Sequence, residues 1–426
     1  MTYFISDEET LDRDGIAALQ RRKLTAMLRE VLTRNAFYRA KLGNRPAEEV
    51  AEGFSALPLT TRSEIQQDQR DHPPFGTNLT FPIECYTRLH QTSATSGEPL
   101  RMVDRPEDWT WWKKCWGTIY RAASVTKADR FVFPFSFGPF IGFWAAFESA
   151  VEHGNLCLPA GGMTTTARLR FLIENEVTMI CCTPTYALRM AEVAKDEGID
   201  IAASAVRGLI VAGEPGGSVP ATRRAIETAW GARVYDHTGL TEVGPFGFEC
   251  EEKPGGMHLM ESEFIIEVID PKSQQSTPDG EPGELVVTHL GRWGMPLIRY
   301  RTGDLVRLSR GKCACGRHFA RVDEGILGRI DEMFFIRVNN VYPSQIDDIV
   351  RGIGGVAEYR LEVDARGAMT QLNIEIEPTL EGDGSLARRL ESAVQNRLHF
   401  KPVVSLARPG SLPRFEMKAR RLTKLT

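Results

Sequence analysis

The sequence predicts an α/β protein with a large N-terminal domain and a small α+β C-terminal domain. From Arg130 onward, short apolar runs alternate with helix-length segments, which is typical of βαβ units and a buried parallel sheet. After Glu249 the apolar runs become β-branched and flank the turn-rich segment 277–280, which predicts a β-rich portion of the same domain. We place the boundary so that the domains span residues 1–327 and 328–426.

Each element follows from the spacing of its apolar residues. The N-terminal segment has apolar side chains at helical spacing up to Gly43 and predicts one amphipathic helix, followed by a proline-rich irregular stretch. Apolar runs predict parallel strands at 131–135, 156–159, 179–182, 208–211 and 233–236, and further strands at 264–269 and 284–288. In the C-terminal domain we expect helices at 344–352 and 386–397 and strands at 359–363 and 371–376.

Composition and charge exclude several classes of function. The chain of 426 residues is 42% hydrophobic and 25% charged, which is ordinary for a globular protein. Its formal net charge is -4 and no basic tract alternates with aromatic residues, which argues against nucleic-acid binding. The apolar runs are far shorter than the roughly 20 residues that cross a bilayer, and the N-terminus lacks the features of a secretory signal. We therefore expect a cytoplasmic protein without a membrane partner, and the sequence leaves a homodimer open.

The loop 91–99 is the first segment with a chemical signature. It reads Gln-Thr-Ser-Ala-Thr-Ser-Gly-Glu-Pro. Clustered hydroxyls, a glycine and exposed backbone amides are typical of loops that wrap phosphate oxygens. The same residue types also form ordinary surface turns, so this loop alone leaves both interpretations open.

Four further segments carry acids, three of them next to predicted strand ends. Segment 212–215 (Ala-Gly-Glu-Pro) and segment 235–242 (Tyr-Asp-His-Thr-Gly-Leu-Thr-Glu) follow successive predicted strands. Open α/β sheets bind ligands at such strand ends, although ordinary βα turns are the alternative for either segment alone. Segment 296–305 brings Asp304 into a tight turn, where its carboxylate is able to accept hydrogen bonds from both ribose hydroxyls. Segment 327–332 places a glycine and paired acids at the predicted domain boundary.

Together and in this order, these segments resemble the phenylacetate–CoA ligase family of adenylate-forming enzymes. The resemblance extends from segments 19–24 and 57–61 to the tail 412–421. It implies an AMP-binding domain followed by a mobile C-terminal lid. It also implies that ATP and Mg²⁺ activate a small carboxylic acid as an acyl-adenylate, whose acyl group then passes to CoA. Such chemistry needs positioning and charge neutralisation rather than a protein nucleophile.

The resemblance assigns roles at matching positions. Lys418 matches the lysine that enters the site during adenylation, Glu242 the acid that holds Mg²⁺, and Asp331 the hinge of the C-terminal domain. The alternative for Lys418 is one cation of a basic tail, because Arg414 and Arg420 are close in sequence. The other implied ATP contacts are Thr92, Ser93, Thr95, Ser96, Gly97, Gly213, Glu214, Pro215, Asp236, Thr241, Asp304 and Arg329.

Four residues depart from the family pattern. Ala94 replaces a glycine and Glu98 replaces a lysine of the phosphate loop, so a cation near the triphosphate is lost. Thr238 replaces a tyrosine. Val338 replaces a glycine in the loop that faces the incoming thiol, so delivery to a carrier protein or an amine is an alternative to CoA. A non-catalytic, zinc-bearing binding protein on a ligase scaffold is the alternative of another class, against which the retention of Lys418 and the acids argues.

A phenylalanine-rich segment matches the position of the family's substrate pocket. It makes Phe135, Phe137 and Gly138 candidates for substrate contact, because flat apolar walls favour an aryl ring. His237 and Thr238 are candidates for recognising a ring hydroxyl or amine, which favours a substituted benzoate over phenylacetate. The alternative is an ordinary core cluster at the end of a strand.

A metal site is predicted in the β-rich portion. Cys313 and Cys315 form a tight pair, and Cys250 and His258 lie upstream. Three thiolates and an imidazole would give closed tetrahedral zinc coordination, and members of the family carry a similar set. We expect a structural zinc that joins two segments of this portion; packed, unpaired thiols are the alternative.

Overall fold

The computed structural model describes residues 3–92, 98–336, 339–366, 370–379, 382, 384–416 and 418–425. The helices of these residues are α1 (Ser6–Glu9), α2 (Arg13–Arg34), α3 (Ala36–Leu42), α4 (Ala47–Glu52), α5 (Arg62–Asp71), α6 (Pro106–Ala122), α7 (Trp144–Glu152), α8 (Thr165–Glu174), α9 (Pro184–Asp196), α10 (Pro220–Trp230), α11 (Pro343–Ile353) and α12 (Leu386–Leu398). The strands are β1 (Arg88–Gln91), β2 (Arg101–Asp104), β3 (Arg130–Phe133), β4 (Leu156–Pro159), β5 (Met179–Cys182), β6 (Gly208–Val211), β7 (Arg233–Leu240), β8 (Gly244–Phe248), β9 (Met257–Leu259), β10 (Phe264–Ile269), β11 (Pro282–His289), β12 (Tyr300–Ser309), β13 (Arg321–Val322), β14 (Gly328–Arg329), β15 (Phe334–Ile336), β16 (Asn339–Val341), β17 (Val356–Asp364), β18 (Gln371–Pro378), β19 (Val403–Leu406) and β20 (Leu422–Leu425).

One mixed, 12-stranded sheet is the framework of the N-terminal domain. Strands β4, β3, β5, β6 and β7 lie side by side and parallel. From β7 the sheet continues antiparallel through β8, β9, β13, β12, β11 and β10, and β14 pairs with β12. The predicted α/β fold class is confirmed, and its parallel and β-rich portions belong to one sheet.

Both faces of the parallel strands are buried. Every residue of β5 and of β6 is buried, as expected where helices cover both faces of a parallel sheet. In β3, Phe131 and Phe133 pack into one hydrophobic cluster and Val132 packs into another, because successive strand side chains point to opposite faces. The loops that follow these strands therefore start from fixed positions.

The N-terminal segment forms separate helices rather than the single helix predicted. Asn35 ends α2 and begins α3, and its side chain accepts a hydrogen bond from the backbone N–H of Tyr38 at 3.0 Å. Its amide also donates to Asn78 Oδ1 at 3.0 Å. The prediction of one helix was wrong because the helical spacing of apolar residues continues from Val31 to Leu42, across the end of α2. The break is marked by Asn35, a buried residue of a type that commonly caps helices.

The C-terminal domain has its own sheet and core. Strands β19, β18, β17 and β20 form a four-stranded sheet, against which α11 and α12 pack through Ile346, Ile349 and Leu390. The boundary predicted between residues 327 and 328 stays a prediction; around it, β14 pairs with the large sheet and the separate core begins at Phe334. Among the described helices, none combines the length and apolarity needed to cross a membrane.

Candidate active site

Two of the predicted loops lie at the carboxyl ends of parallel strands, where the C-terminal tail reaches them. Segment 213–215 follows β6, segment 236–242 forms the end of β7 and the next turn, and Thr92 follows β1. Lys418 lies over Gly213, with its Cε atom 3.1 Å from the position that a Cβ atom on this glycine would occupy. The positive φ of Gly213 is one that side-chain-bearing residues rarely adopt, so a glycine suits both the turn and the lysine stem.

An arginine that sequence reasoning missed joins the predicted phosphate and magnesium residues. Arg62 Nη2 donates to the hydroxyl of Thr92 at 2.8 Å, and Nη1 lies 3.4 Å from Glu242 Oε1. Arg62 directly follows segment 57–61, which resembles the family, and that position was the available signal. The rest of the predicted phosphate loop lies outside the described residues: Ser93, Ala94, Thr95, Ser96 and Gly97.

Glu98, the departure that replaces a lysine, points towards solvent. Its carboxylate lies 3.8 Å from the guanidinium of Arg70, and its side chain is 66% exposed. Water and the neighbouring cation screen this charge, so its repulsion of a phosphate is weakened. The backbone carbonyl of Glu98 accepts a hydrogen bond from Gln66 Nε2 at 2.7 Å, which anchors this end of the loop.

Glu242 is held through both its carboxylate and its backbone. The hydroxyl of Tyr300 donates to Oε1 at 3.0 Å. Arg292 Nη1 donates to the carbonyls of Thr241 and Glu242, both at 3.0 Å. The buried Arg292 also donates to Asp104 Oδ2 at 2.9 Å. Burial alone would raise the pKa of Asp104, but the guanidinium holds it below its ordinary value.

The predicted ribose residues and the predicted hinge residue form a chain of charges. Arg329 Nη1 donates to Asp304 Oδ1 at 3.1 Å, and Nε donates to Asp331 Oδ1 at 3.0 Å. Burial raises the pKa of Asp304 to about 6, against the positive charges of Arg329 and Lys418. Lys424 of β20 donates to the carbonyl of Asp331 at 2.8 Å. Asp331 thus contacts Arg329 of β14, which pairs with the large sheet, and Lys424 of β20, which belongs to the sheet of the C-terminal domain.

A buried pair of carboxyl groups lies at the end of β7. Asp236 accepts hydrogen bonds from Ser218 Oγ at 2.5 Å and from the backbone N–H of His237 at 3.0 Å. Its own N–H donates to Glu249 Oε2 at 3.1 Å. Burial raises the pKa of Asp236 to about 6 and that of Glu249 to about 7, against the charge of Arg223. Sequence reasoning found Asp236 but not Glu249. Glu249 directly follows β8, the antiparallel neighbour of β7.

Glu214 uses both carboxylate oxygens within the protein. Oε1 accepts a hydrogen bond from the backbone N–H of Thr185 at 2.9 Å, at the start of α9. Oε2 accepts from the backbone N–H of Ala419 at 2.8 Å. The neighbouring Pro215 is exposed. Glu214 therefore joins the loop after β6 to the residue that follows Lys418.

Aromatic rings form a continuous, buried wall that leads to His237 of β7. The ring centroids of Phe135 and Phe143 lie 5.7 Å apart, those of Phe143 and Trp116 6.1 Å, and those of Trp116 and His237 4.6 Å. Phe137 packs on Phe135, with their ring centroids 4.4 Å apart. Phe143 and Trp116 were not predicted, because they lie on separate elements that only the fold brings to Phe135.

His237 is neutral and has a defined tautomer. Its Nδ1–H donates to the carbonyl of Gly247 at 2.6 Å, and burial lowers its pKa to about 4. Nε2 is therefore an acceptor, and it has no hydrogen-bond partner in the part of the chain that the structure describes. Thr238 packs its methyl group against Gly247, and the carbonyl of Gly138 accepts a hydrogen bond from Trp144 Nε1 at 3.2 Å.

The predicted metal ligands come together in the β-rich portion. The ligand atoms of Cys250, His258, Cys313 and Cys315 all lie within 4.8 Å of one another, and all four residues are buried. The sulfur atoms of Cys250 and Cys313 are 3.8 Å apart, and Cys315 Sγ is 3.4 Å from His258 Nε2. Tetrahedral zinc with Zn–S bonds of about 2.3 Å requires sulfur separations of about 3.8 Å, so this set fits zinc.

Groups around the four ligands also suit a metal centre. His258 Nδ1 lies 3.3 Å from the carbonyl of Phe319, the contact that commonly orients a ligating imidazole. Arg317 Nη1 lies 3.6 Å from Cys315 Sγ, and Arg321 Nη1 lies 3.8 Å from Cys250 Sγ. These contacts place hydrogen-bond donors beside two of the four ligand atoms, and each guanidinium is also paired with a carboxylate, Arg317 with Glu9 and Arg321 with Asp323.

Comparison with known proteins agrees with this geometry. The family model of AMP-binding enzymes matches residues 93–292, and that of the AMP-binding enzyme C-terminal domain matches residues 338–425. The chain is 31% identical to the phenylacetate–coenzyme A ligase of Escherichia coli, over 98% of this chain and 96% of that protein. It is 29% identical to the phenylacetate–coenzyme A ligase of Thermus thermophilus, over 96% of each.

Solved structures of 2-hydroxyisobutyryl-CoA ligase resemble the whole chain. In its postadenylation state that ligase matches with a TM-score of 0.92 and 28% identity, over 100% of this chain and 92% of that one. In its thioesterification state the TM-score is 0.75, so the domain arrangement here is closer to the postadenylation structure. The resemblance seen in the motifs is confirmed, and the chain belongs to the phenylacetate–coenzyme A ligase family of adenylate-forming, AMP-binding enzymes and is an acid–thiol ligase.

Proposed function

We propose that this ligase uses ATP and Mg²⁺ to activate a small aryl acid, a hydroxy- or amino-substituted benzoate, and transfers the acyl group to CoA. The observation that carries the proposal is a charged cluster beside an aromatic wall: Arg62 bridges Thr92 and Glu242, and Lys418 lies over Gly213. In the first half-reaction, a carboxylate oxygen attacks the α-phosphorus of ATP and pyrophosphate leaves.

The protein's task in this step is to bring two anions together. Arg62 and Lys418 supply positive charge, and Asp304, paired with Arg329, accepts hydrogen bonds from the ribose hydroxyls. Within the described residues, no donor reaches Oε2 of Glu242, so this oxygen is available to Mg²⁺, which prefers oxygen ligands. Mg²⁺ held by Glu242 would neutralise charge on the phosphate oxygens.

The second half-reaction passes the acyl group to a thiol. The CoA sulfur attacks the acyl carbon, its proton is lost, and AMP leaves with the oxygen that had joined it to the acid. The names of the phenylacetate–coenzyme A ligases support CoA as acceptor. Val338, which motivates a carrier protein or an amine instead, lies outside the described residues. The alternative of a non-catalytic zinc-bearing binding protein gains no support from the comparisons.

The aromatic wall and His237 support the substrate class. The buried rings of Phe135, Phe143 and Trp116 would pack against an aryl ring bound at their edge, and the unpartnered Nε2 of His237 is an acceptor for a hydroxyl or amino hydrogen. A short aliphatic hydroxy acid is the second candidate, because the structurally similar ligase is named for 2-hydroxyisobutyrate, whose hydroxyl suits the same acceptor.

We also propose that Cys250, His258, Cys313 and Cys315 bind a structural Zn²⁺. The spacing of their ligand atoms and the two nearby arginines support this assignment. Bound zinc would crosslink the end of β8 and strand β9 to the turn before β13, and it would take no part in the reaction.

The function is tested by ATP–pyrophosphate exchange against hydroxybenzoates, aminobenzoates, benzoate, phenylacetate and 2-hydroxyisobutyrate. We expect exchange with a substituted benzoate and a thioester product once CoA is added. Lys418→Ala should lower exchange by about a hundredfold or more, because a preorganised charge at the reacting phosphate is lost. Lys401→Ala, a lysine that pairs with Glu391 on the C-terminal domain, is the matched control. Absence of exchange with every acid, or equal activity of Lys418→Ala and the control, would contradict the proposal.

Selectivity tests the role of His237. His237→Phe should reduce the preference for a hydroxy- or aminobenzoate over benzoate by about threefold to tenfold, the effect of losing one hydrogen bond. Because its pKa is lowered to about 4, His237 stays neutral between about pH 6 and 8, so its own protonation should not change the preference there. Thr238→Val is the control for the neighbouring hydroxyl. An unchanged preference in His237→Phe, or a larger change in Thr238→Val, would refute this role.

Metal analysis tests the zinc site. The purified chain should contain about one zinc ion per molecule, and Cys313→Ser should lose it and unfold at a lower temperature. Cys85→Ser, which removes an exposed thiol elsewhere, should retain both the metal and the thermal stability. A metal-free wild-type protein that gains no stability from added zinc would contradict the assignment.

A further inference from the structure

The carboxylate of Glu214 connects the two domains at the residue next to Lys418. One oxygen accepts from Thr185 N–H at 2.9 Å and the other from Ala419 N–H at 2.8 Å. Thr185 lies in the first turn of α9, where unpaired N–H groups and the helix dipole favour a carboxylate. Glu214 is therefore fixed on the N-terminal domain and binds the backbone of the C-terminal tail.

The hydrogen bond between Glu214 and Ala419 belongs to a wider interface between the C-terminal tail and the N-terminal domain, and within it this bond is close to Lys418 in sequence. Earlier in the tail, Arg414 Nε lies 3.1 Å from Glu192 Oε1 of α9. Glu416 accepts from Arg168 Nη1 of α8 at 3.3 Å. Those ion pairs join side chains, whereas Glu214 binds the backbone N–H of Ala419, the residue after Lys418. Loss of the Glu214 carboxylate should therefore displace Lys418 more directly than loss of either ion pair.

We propose that Glu214 is a positioning residue that fixes Lys418 for adenylation and has no part in thioester formation. The inference rests on the proposed adenylation role of Lys418. The bond belongs to one arrangement of the domains, the one that resembles the postadenylation structure of the related ligase, with a TM-score of 0.92 against 0.75 for its thioesterification state. When the C-terminal domain turns, the hydrogen bond between Ala419 and Glu214 must break. The carboxylate then keeps only its hydrogen bond from Thr185 N–H in α9.

The geometry distinguishes this role from direct ATP binding. Both carboxylate oxygens of Glu214 already accept hydrogen bonds from backbone N–H groups of the protein, so neither oxygen is without a protein partner for a nucleotide to replace. A residue that binds ATP changes the KM for ATP when it is substituted, whereas a residue that positions Lys418 changes kcat of adenylation.

The two half-reactions are measured separately in Glu214→Gln. An amide keeps the side-chain size but offers one acceptor oxygen instead of two, and its NH₂ group faces a backbone donor. With the best acid found for the wild type, kcat of ATP–pyrophosphate exchange should fall about tenfold to a hundredfold with little change in the KM for ATP. Thioester formation from the chemically made acyl-adenylate and CoA should change by no more than about twofold.

A double-mutant comparison shows whether Glu214 acts through the lysine. In a Lys418→Ala background, adding Glu214→Gln should cause no further loss of exchange, because the group that it positions is already absent. Glu192→Gln is the matched control: it weakens the ion pair with Arg414 in the same interface, and Arg414 keeps its contact with Glu377 at 2.6 Å. Exchange by this control should stay within about twofold of the wild type.

Limited trypsin digestion gives a readout that needs no substrate. The bond cleaved after Lys418 contains the Ala419 amide that Glu214 binds, so Glu214→Gln should be cut there several times faster than the wild type and Glu192→Gln. Equal cleavage rates, a raised KM with unchanged kcat, equal losses in both half-reactions, or additive losses with Lys418→Ala would each overturn the inference. A wild type without exchange for any acid would sink the proposed function instead, and the digestion would still decide whether Glu214 holds the tail.

Discussion

One buried ion pair fixes the geometry on which the rest of the site depends. The side chains of Asp104 and Arg292 are fully buried, and the pair joins two separate parts of the chain. Asp104 ends the hairpin β1–β2, whose connection carries the predicted phosphate loop, and Arg292 holds the carbonyls of Thr241 and Glu242. Removing one partner of such a pair typically costs about 3–5 kcal/mol, because the other charge is left buried and uncompensated. The pair thus fixes the strands that flank the predicted phosphate loop and the backbone of Glu242, the predicted magnesium residue, in one relative position.

The site combines groups that are fixed on the large sheet with one that arrives on the tail. Arg62, Glu242 and Asp304 are tied into the N-terminal domain by hydrogen bonds and burial. Lys418 is exposed and reaches the site from a tail held mainly by partly exposed ion pairs. Exposed ion pairs contribute roughly 0–1 kcal/mol each, so the tail can dock precisely and still leave. This division suits a reaction that needs a cation in one step and an open path for a thiol in the next.

The sequence predicted what lies in contiguous segments and missed what depends on distant contacts. Strands β4, β5, β6 and β10 have the predicted bounds, because buried parallel and alternating strands leave clear apolar runs. The segments carrying Glu242, Asp304 and the pair Cys313 and Cys315 were recognisable because each motif is short and local. Arg62, Arg292 and Trp116 were missed, since each acts through residues far away in sequence. The contact of Glu214 with Ala419 likewise depends on how the two domains pack, which no local pattern encodes.

Attack of the acid's carboxylate on the α-phosphorus of ATP determines where the oxygen atoms of the acid end up, and an oxygen-isotope experiment measures this. The enzyme is supplied with its acid labelled with ¹⁸O in both carboxylate oxygens, together with ATP and CoA, and the products are analysed by mass spectrometry. The account predicts that one ¹⁸O atom appears in AMP and the other remains in the thioester. Recovery of the label in inorganic phosphate, with ADP as the nucleotide product, would contradict it, because the acid would then have attacked the γ-phosphorus.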